Sequence, residues 1–344
     1  MMMLHGRYKI LSERSGGQGR VLFCEDINLR RRVAVKQWLD PRQEARLEDE
    51  ILALLRIKSK HVVQLYDLIH NDNGTDIILE FIDGRLIEDI NISSLSQVAK
   101  LKILYQIACG ICDIHTQGAV HRDIKPNNIK MDAEGIVKIF DFGLAREIGR
   151  NCNTIGFKGT YGYAAPELYR EGNIEFRSPI DVYAFGVIAW EMFADRPPEL
   201  SEIPPQPIAS DLKAVSELPD QVADCINQCV AFDPNDRPIM IDIKQLLATY
   251  LLQNKHHGNL VFNGNSHSVS HSTRAVRIAI GNCRATIRYD GICFKLQDIS
   301  GNFSINNEAV EENTELHQSC VITVNVNNSR RFITFDISHP EVTL

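Results

Sequence analysis

The sequence predicts an α+β fold with three parts: a β-rich small lobe, a helical large lobe and a small all-β domain at the C-terminus. Three observations lead to this prediction. Short apolar runs alternate with turn residues over about 7–80, and apolar residues recur at helical spacing between about 95 and 252. Short β-like runs then return after about residue 274. A chain of 344 residues is long enough for two or three domains.

The small lobe is expected over about residues 1–82. One helical pattern interrupts its strands around Glu44–Leu55, where four apolar residues lie on one face: Leu47, Ile51, Leu54 and Leu55. The large lobe is expected over about 83–252. Its helices are predicted at about 95–118, 180–195, 220–231 and 240–252. These two lobes together form the first predicted domain, residues 1–252.

The composition changes after Leu252. Residues 253–272 are rich in His, Ser, Asn and Gly, which predicts a linker; a metal-binding histidine tract is the alternative interpretation. A small β-sandwich is expected over 273–344. Its strands are predicted at 276–280, 285–289, 292–296, 321–326 and 332–337.

Composition and charge narrow the class of protein. The formal net charge of −7 argues against nucleic-acid binding driven by global charge. No stretch approaches the roughly 18 apolar residues of a membrane span, and the first residues lack the pattern of a signal peptide. The nine cysteines form no spaced zinc array, so they are expected to be reduced thiols. We therefore expect a cytoplasmic protein.

The segment that carries chemistry is residues 121–128, with the sequence HRDIKPNN, followed by DFG at 141–143. Phosphoryl transfer needs a carboxylate near the attacking hydroxyl, a cation on the transferred phosphate and oxygen ligands for Mg²⁺. Asp123 can orient the hydroxyl and Lys125 can neutralise the phosphate. Asn128 and Asp141 offer hard oxygen ligands to the metal.

These motifs resemble the signature of eukaryotic-like Ser/Thr protein kinases. The sequence VAVK at 33–36 resembles the strand that carries the ATP-binding lysine, Lys36, and Glu50 matches its ion-pair partner. Further matching motifs are GTYGYAAPE at 159–167, DVYAFG at 181–186 and DPNDRP at 233–238. The resemblance implies a bilobal kinase fold that uses ATP and Mg²⁺, with Mn²⁺ able to substitute, and that phosphorylates proteins on Ser or Thr.

The resemblance also implies an ATP site with atypical features. Its expected residues are Gly16, Gly17, Gly19, Val21, Ala34, Lys36, Leu79, Glu80, Ile82 and Lys130. Leu79 stands at the gatekeeper position, and backbone groups of 80–82 are expected to contact adenine. Arg14 replaces one family glycine of the phosphate loop. Lys130 replaces the apolar residue under the base, which predicts an altered nucleotide affinity.

Regulation is expected in the activation segment. In the family, the arginine at the position of Arg122 pairs with a phosphate on this segment, and Thr154 is the best candidate for autophosphorylation. An unmodified Thr154 is the alternative. Thr160 is expected to help position the substrate, and Glu167 and Arg237 are expected to form a buried ion pair.

The last 70 residues resemble part of a forkhead-associated (FHA) domain, a β-sandwich that typically binds phosphothreonine. The similar stretch runs from Ala285 to Asn306. The phosphate-reading residues of the family do not carry over. A basic site is still expected from Arg274, Arg277, Arg284 and Arg288. Protein contact or dimerisation through a degenerate sandwich is the alternative.

Two functions follow from these expectations. The first is an active Ser/Thr kinase, bacterial or phage-borne, that phosphorylates proteins and itself. The second is a nucleotide-binding pseudokinase scaffold whose β domain recruits partners. The intact set of catalytic residues favours the first, whereas Arg14 and Lys130 favour the second.

Overall fold

A computed structural model describes most of the chain. The residues outside the description are 1, 17–18, 38–43, 72–73, 148–150, 154–159, 170–172, 199, 202–205, 208–210, 263, 317–318, 327–328, 339–341 and 343–344. The chain divides into two compact units, residues 1–247 and 248–343. Each unit is described by itself.

The first unit begins with a six-stranded antiparallel sheet in the order β1-β2-β3-β4-β6-β5. Its strands are β1 (Met3–Leu4), β2 (Tyr8–Gly16), β3 (Gly19–Asp26), β4 (Arg31–Gln37), β5 (Leu65–Asn71) and β6 (Gly74–Glu80). One helix, α1 (Glu44–Arg56), separates β4 from β5. Both the strands and this helix were expected from the sequence, and the prediction is confirmed.

The rest of the first unit is mainly helical, as predicted. Its helices are α2 (Gln97–Thr116), α3 (Pro179–Ala194), α4 (Asp220–Cys229) and α5 (Met240–Leu251). The Ser96 hydroxyl caps α2 by accepting from the Ala99 amide at 3.2 Å. Helix α3 is apolar on all sides, because it runs through the core with Trp190, Tyr183 and Phe185 buried.

Short strands connect these helices and carry the loops of the site. They are β7 (Gly84–Leu86), β8 (Ala119–Val120), β9 (Ile129–Asp132), β10 (Val137–Ile139), β11 (Arg146–Glu147), β12 (Asn151–Asn153), β13 (Asn173–Glu175), β14 (Leu200–Ser201) and β15 (Gln206–Pro207). Strand β9 lies between β10 and β7, β8 pairs with β11, β12 with β13, and β14 with β15. Buried Gln106 on α2 fixes the β9–β10 hairpin, since it accepts from the Val137 amide and donates to the Gly135 carbonyl.

The second unit is a β-sandwich. Its strands are β16 (Gly258–Phe262), β17 (Asn265–Val269), β18 (Ala275–Ile280), β19 (Cys283–Tyr289), β20 (Phe294–Ser300), β21 (Asn302–Ile305), β22 (Glu308–Ala309), β23 (Thr314–Leu316), β24 (Cys320–Val326) and β25 (Ser329–Ile337). One sheet has the order β17-β16-β25-β24-β21-β22 and the other β18-β19-β20-β23. Ile287 and Phe294 from one sheet share a core with Leu260, Ile333 and Phe335 from the other.

The predicted linker over 253–272 is wrong, because this segment contains the β16–β17 hairpin. Strand β16 pairs with the last strand, β25, so that Leu260 lies opposite Phe335. Gly258 has a packing role there, since a Cβ atom at this position would come within 2.6 Å of the Phe335 ring. The loop-like composition of this segment does not reveal its pairing with β25, which lies about 75 residues away in the sequence.

Within the described residues, no helix is long and apolar enough to span a bilayer. The cysteines whose side chains the structure describes form no disulfide bonds. They include Cys109 and Cys112 on α2 and Cys225 and Cys229 on α4, which are close in sequence.

The packing of the β16–β17 hairpin into the sandwich leads to a testable prediction. Leu260→Ala should destabilise the second unit by about 2–5 kcal/mol, because Leu260 is fully buried in the sandwich core. The matched control is Val261→Ala on the same strand, where the side chain is 46% exposed and the expected cost is within about 0.5 kcal/mol. Hydrogen exchange of peptides from residues 248–343 in the intact chain measures both. Equal effects of the two variants would show that the segment behaves as a linker.

Candidate active site

The first element of the site is a buried cluster of one lysine and two carboxylates. Lys36 lies on β4 and its Nζ atom is 2.8 Å from Glu50 Oε1 on α1 and 2.9 Å from Asp141 Oδ1. Burial alone would lower the pKa of Lys36, but the attraction of Glu50 and Asp141 outweighs it, so the pKa is raised. Burial would likewise raise the pKa of Asp141, and Lys36 reverses this shift. The lysine and Asp141 are therefore charged at neutral pH.

The loop after β8 is held by hydrogen bonds to the carboxylate of Asp181. This residue lies in the first turn of the buried helix α3 and is itself fully buried. Its Oδ2 accepts from the His121 amide at 2.8 Å and from His115 Nε2 at 3.0 Å, and its Oδ1 accepts from the Arg122 amide at 2.8 Å. Burial would raise the pKa of Asp181, but these hydrogen bonds, with that of His115 foremost, lower it.

Asp123 lies at the centre of a polar cluster. Its Oδ1 accepts from the Thr160 hydroxyl at 2.8 Å, and its Oδ2 is 2.9 Å from Lys125 Nζ. Lys125 Nζ also donates to Thr160 Oγ1 at 2.8 Å. Asn128 Nδ2 donates at 2.9 Å to both the carboxylate and the backbone carbonyl of Asp123. The structure thus brings together four residues that the sequence predicted to act together.

Arg122 is held by contacts that the sequence did not predict. Its backbone has a left-handed conformation (φ +70°), and its guanidinium stacks 3.5 Å from the centroid of the Phe176 ring. Its Nη1 donates to the Leu144 carbonyl at 3.2 Å. Thr154, the predicted phosphorylation site, lies outside the described residues.

A second buried ion pair closes the activation segment. Arg237 Nη1 and Nη2 each donate to a carboxylate oxygen of Glu167 at 2.8 Å, as expected from the sequence. Arg237 also donates to the carbonyls of Pro179 and Ala231. The bidentate geometry fixes the Glu167 carboxylate against the chain around Arg237.

A cavity of about 470 Å³ joins the lysine cluster to the Asp123 cluster. Most of the residues expected in the ATP site line it: Val21, Ala34, Lys36, Leu79, Glu80, Ile82 and Lys130. Gly16 ends β2 opposite Gly19, which begins β3, and Gly17 lies outside the described residues. Phe23, Val63 and Phe140 also line the cavity, and sequence reasoning missed them. Of these three residues, only Phe140 could have been predicted from the sequence, because it directly precedes Asp141.

Lys130 lies on the central strand β9, between Leu86 and Lys138. Its Nζ donates to the Ile82 carbonyl at 3.4 Å and lies 5.9 Å from the centroid of the Phe140 ring. Burial, and then the charge of Arg14, lower the pKa of Lys130. The predicted atypical floor of the cavity is therefore a cation beside a backbone carbonyl.

The donor set of the cavity suits a magnesium ion. Asn128 uses its amide nitrogen on Asp123, so its oxygen is the atom that it can offer to a metal. Asp141 adds a charged carboxylate. Within the described residues, no group of three or more His, Cys, Asp or Glu side chains is placed to hold a metal ion, so the candidate ligands here are one carboxylate and one amide oxygen.

Comparison with known proteins agrees with this geometry. A family model described as "Protein kinase domain" matches residues 14–250. The chain belongs to the protein kinase family. The matched range covers most of the first unit, including the residues that line its cavity, and the strands of the β-sandwich lie outside it.

Relatives of this protein kinase come from animals and bacteria. Rat cyclin-dependent kinase-like 2 is 25% identical over 275 residues, which cover 66% of this chain and 54% of the relative. The probable serine/threonine-protein kinase pknA2 of Bifidobacterium longum is 32% identical over 68% of this chain and 31% of its own length. The serine/threonine-protein kinase PrkC of Bacillus subtilis is 32% identical over 57% of this chain and 31% of its own length. The chain thus spans about half or less of these relatives.

The role of Asp181 makes a prediction. Asp181→Asn should destabilise the first unit by about 1–3 kcal/mol, because the amide nitrogen would face a backbone donor. The folded pKa of Asp181 is depressed, so its contribution is present above the unfolded value of about 3.9 and is lost as the pH falls through the folded value.

The measurement is urea unfolding between pH 3 and pH 7, followed by the fluorescence of Trp38 and Trp190, which both lie in residues 1–247. The control is Glu134→Gln at an exposed position of the same unit. A loss of stability in Asp181→Asn no greater than in the control would contradict the anchoring role.

Proposed function

We propose that this protein kinase is an active Ser/Thr kinase that transfers the γ-phosphate of ATP to protein hydroxyls. The observation that carries the proposal is the cluster of Asp123, Lys125 and Thr160 at one end of the cavity. A hydroxyl there meets a carboxylate acceptor and an ammonium group at 2.8 Å each. These are two of the groups that phosphoryl transfer to an alcohol uses.

The residues divide the chemistry among themselves. Asp123 would accept or orient the proton of the substrate hydroxyl, a role supported by the hydrogen bond that it accepts from the Thr160 hydroxyl. Lys125 would neutralise charge on the transferred phosphoryl group. Lys36, held by Glu50, would bind the phosphates of the nucleotide, and the apolar residues Val21, Ala34 and Leu79 would enclose its base.

A divalent metal completes this proposal. Asn128 and Asp141 would hold Mg²⁺, with Mn²⁺ as a substitute, and the ion would supply positive charge to the phosphates. The remaining ligands would be phosphate oxygens and water, which is the usual arrangement for Mg²⁺ at nucleotide sites. Asp141 is suited to this because Lys36 keeps it ionised.

The activation segment is the proposed site of autophosphorylation, with Thr154 as the acceptor. Its support is the buried guanidinium of Arg122, which lies beside Leu144 at the start of this segment. A phosphate on the segment could form charge-assisted bonds to arginine. The competing function, a pseudokinase scaffold, rests on Lys130 and Arg14, whereas the intact set of Lys36, Glu50, Asp123, Asn128 and Asp141 supports an active kinase.

The kinase proposal predicts the outcome of a labelling experiment. Purified chain with Mg²⁺ and γ-labelled ATP should incorporate phosphate on Ser or Thr, and mass spectrometry should find Thr154 among the sites. Asp123→Asn should lose about 10²–10⁴-fold in rate, because the acceptor carboxylate is gone. The control is Asp132→Asn, on β9 but outside the cavity. Absence of label on the chain and on a generic protein acceptor would favour the scaffold.

A second proposal concerns the β-sandwich, which we infer to be FHA-like and to recruit a phosphorylated partner. Arg277, Arg284 and Arg288 are exposed on β18 and β19, and Arg277 lies opposite Thr286, midway between the other two. Because side chains alternate along a strand, these three arginines lie on one face. Arg288 is paired with Asp298 at 3.1 Å, which orients it at the edge of the basic surface.

The basic surface predicts phosphopeptide binding by the full chain. Arg277→Gln with Arg284→Gln should weaken binding of a phosphothreonine peptide by roughly tenfold or more, since charge-assisted hydrogen bonds are lost. The control is Arg330→Gln with Arg331→Gln, which removes the same charge from the other sheet. Sedimentation of the wild type tests the alternative: a concentration-dependent dimer without phosphopeptide binding would favour self-association.

A further inference from the structure

At the base end of the cavity, Lys130 lies among apolar residues. Val21, Ala34, Leu79 and Phe140 surround this region, and Lys130 lies among them with its ammonium bonded to the Ile82 carbonyl. An apolar residue at position 130 would leave that carbonyl without this donor. The lysine therefore changes what a bound base meets at Ile82.

Ile82 presents two backbone groups to a ligand. It is buried and follows the end of β6 at Glu80. Among the described residues, its amide donates to no backbone carbonyl, and its carbonyl accepts from Lys130. A base edge placed against Ile82 would thus meet a free donor next to an acceptor that an ammonium already occupies.

The edges of purines differ at this point. In adenine, ring nitrogen N1 is an acceptor, and the neighbouring carbon C2 carries only hydrogen. When N1 accepts from the Ile82 amide, C2 comes to face the carbonyl of the same residue, as partners do in a hydrogen-bonded β pair. A purine with a 2-amino group would direct N–H donors at this carbonyl, where they would meet the Lys130 ammonium.

We propose that Lys130 is a specificity-determining residue that excludes purine nucleotides carrying a 2-amino group. The inference rests on the proposed nucleotide function of the cavity and adds a base preference to it. A bound 2-amino group would have to share the Ile82 carbonyl with the Lys130 ammonium, whose positive charge repels the amino hydrogens, or displace the ammonium from it. Either event costs binding free energy that adenine, which carries only hydrogen on C2, does not incur.

The surroundings of Lys130 keep the ammonium at this carbonyl. Its ammonium is 5.9 Å from the centroid of the Phe140 ring, whose face attracts cations. Arg14 lines the same cavity, so that its like charge opposes movement of the ammonium toward the phosphate loop. Strand β9 is bonded on both sides, which fixes the backbone of residue 130.

The test compares two nucleotides that differ only in the 2-amino group. Calorimetric titration of the full chain with ATP and with 2-amino-ATP, each with Mg²⁺, gives the two dissociation constants. The wild type should bind ATP roughly tenfold or more tightly than 2-amino-ATP. Lys130→Met should reduce this ratio to about threefold or less, because the Ile82 carbonyl can then accept the 2-amino group. Lys130→Arg retains a charged donor and should keep the wild-type ratio.

The outcomes separate this inference from the proposed kinase function. Binding of ATP by Lys130→Met also shows that this variant is folded. Equal affinities in the wild type, or a ratio that persists in Lys130→Met, would overturn the role of Lys130 and leave the kinase proposal intact. Failure of the wild type to bind either nucleotide would overturn both.

Discussion

The buried carboxylate of Asp181 is the constraint on which the site depends. A charge without water is costly unless hydrogen bonds surround it, and Asp181 obtains them from His115 and from the amides of His121 and Arg122. These hydrogen bonds therefore have two effects. They offset the desolvation cost of the buried carboxylate, and they fix the backbone of the loop that ends in Asp123. Strand pairing between β8 and β11 supports the same loop from the other side.

Buried ion pairs fix the remaining parts of the site. The pairs of Lys36 with Glu50 and of Glu167 with Arg237 contribute orientation more than stability, because desolvation offsets most of their attraction. Each pair joins elements distant in sequence: the first joins β4 to α1, and the second joins the activation segment to the chain before α5. The cavity between them keeps its polar groups in place before any ligand binds.

The β-sandwich shows a different kind of dependence. Its core needs both sheets, since Leu260 from β16 packs in the same core as Phe294 from β20 and Phe335 from β25. Strand β16 pairs with β17 in a local hairpin, but its other partner is β25, the last strand of the unit. The composition of residues 253–272 therefore indicates only a loop, because it does not record the pairing of β16 with the distant strand β25.

The sequence by itself predicted the helices of the first unit and the residues that the structure brings together around the cavity: Lys36, Glu50, Asp123, Asn128 and Asp141. Helical spacing is local, and the motifs stand at fixed intervals along the chain. Only the tertiary structure decided the role of Asp181, the stacking of Phe176 on Arg122 and the bond from Lys130 to Ile82. Each of these joins residues about 50 or more positions apart, and no local pattern records which distant group a side chain will meet.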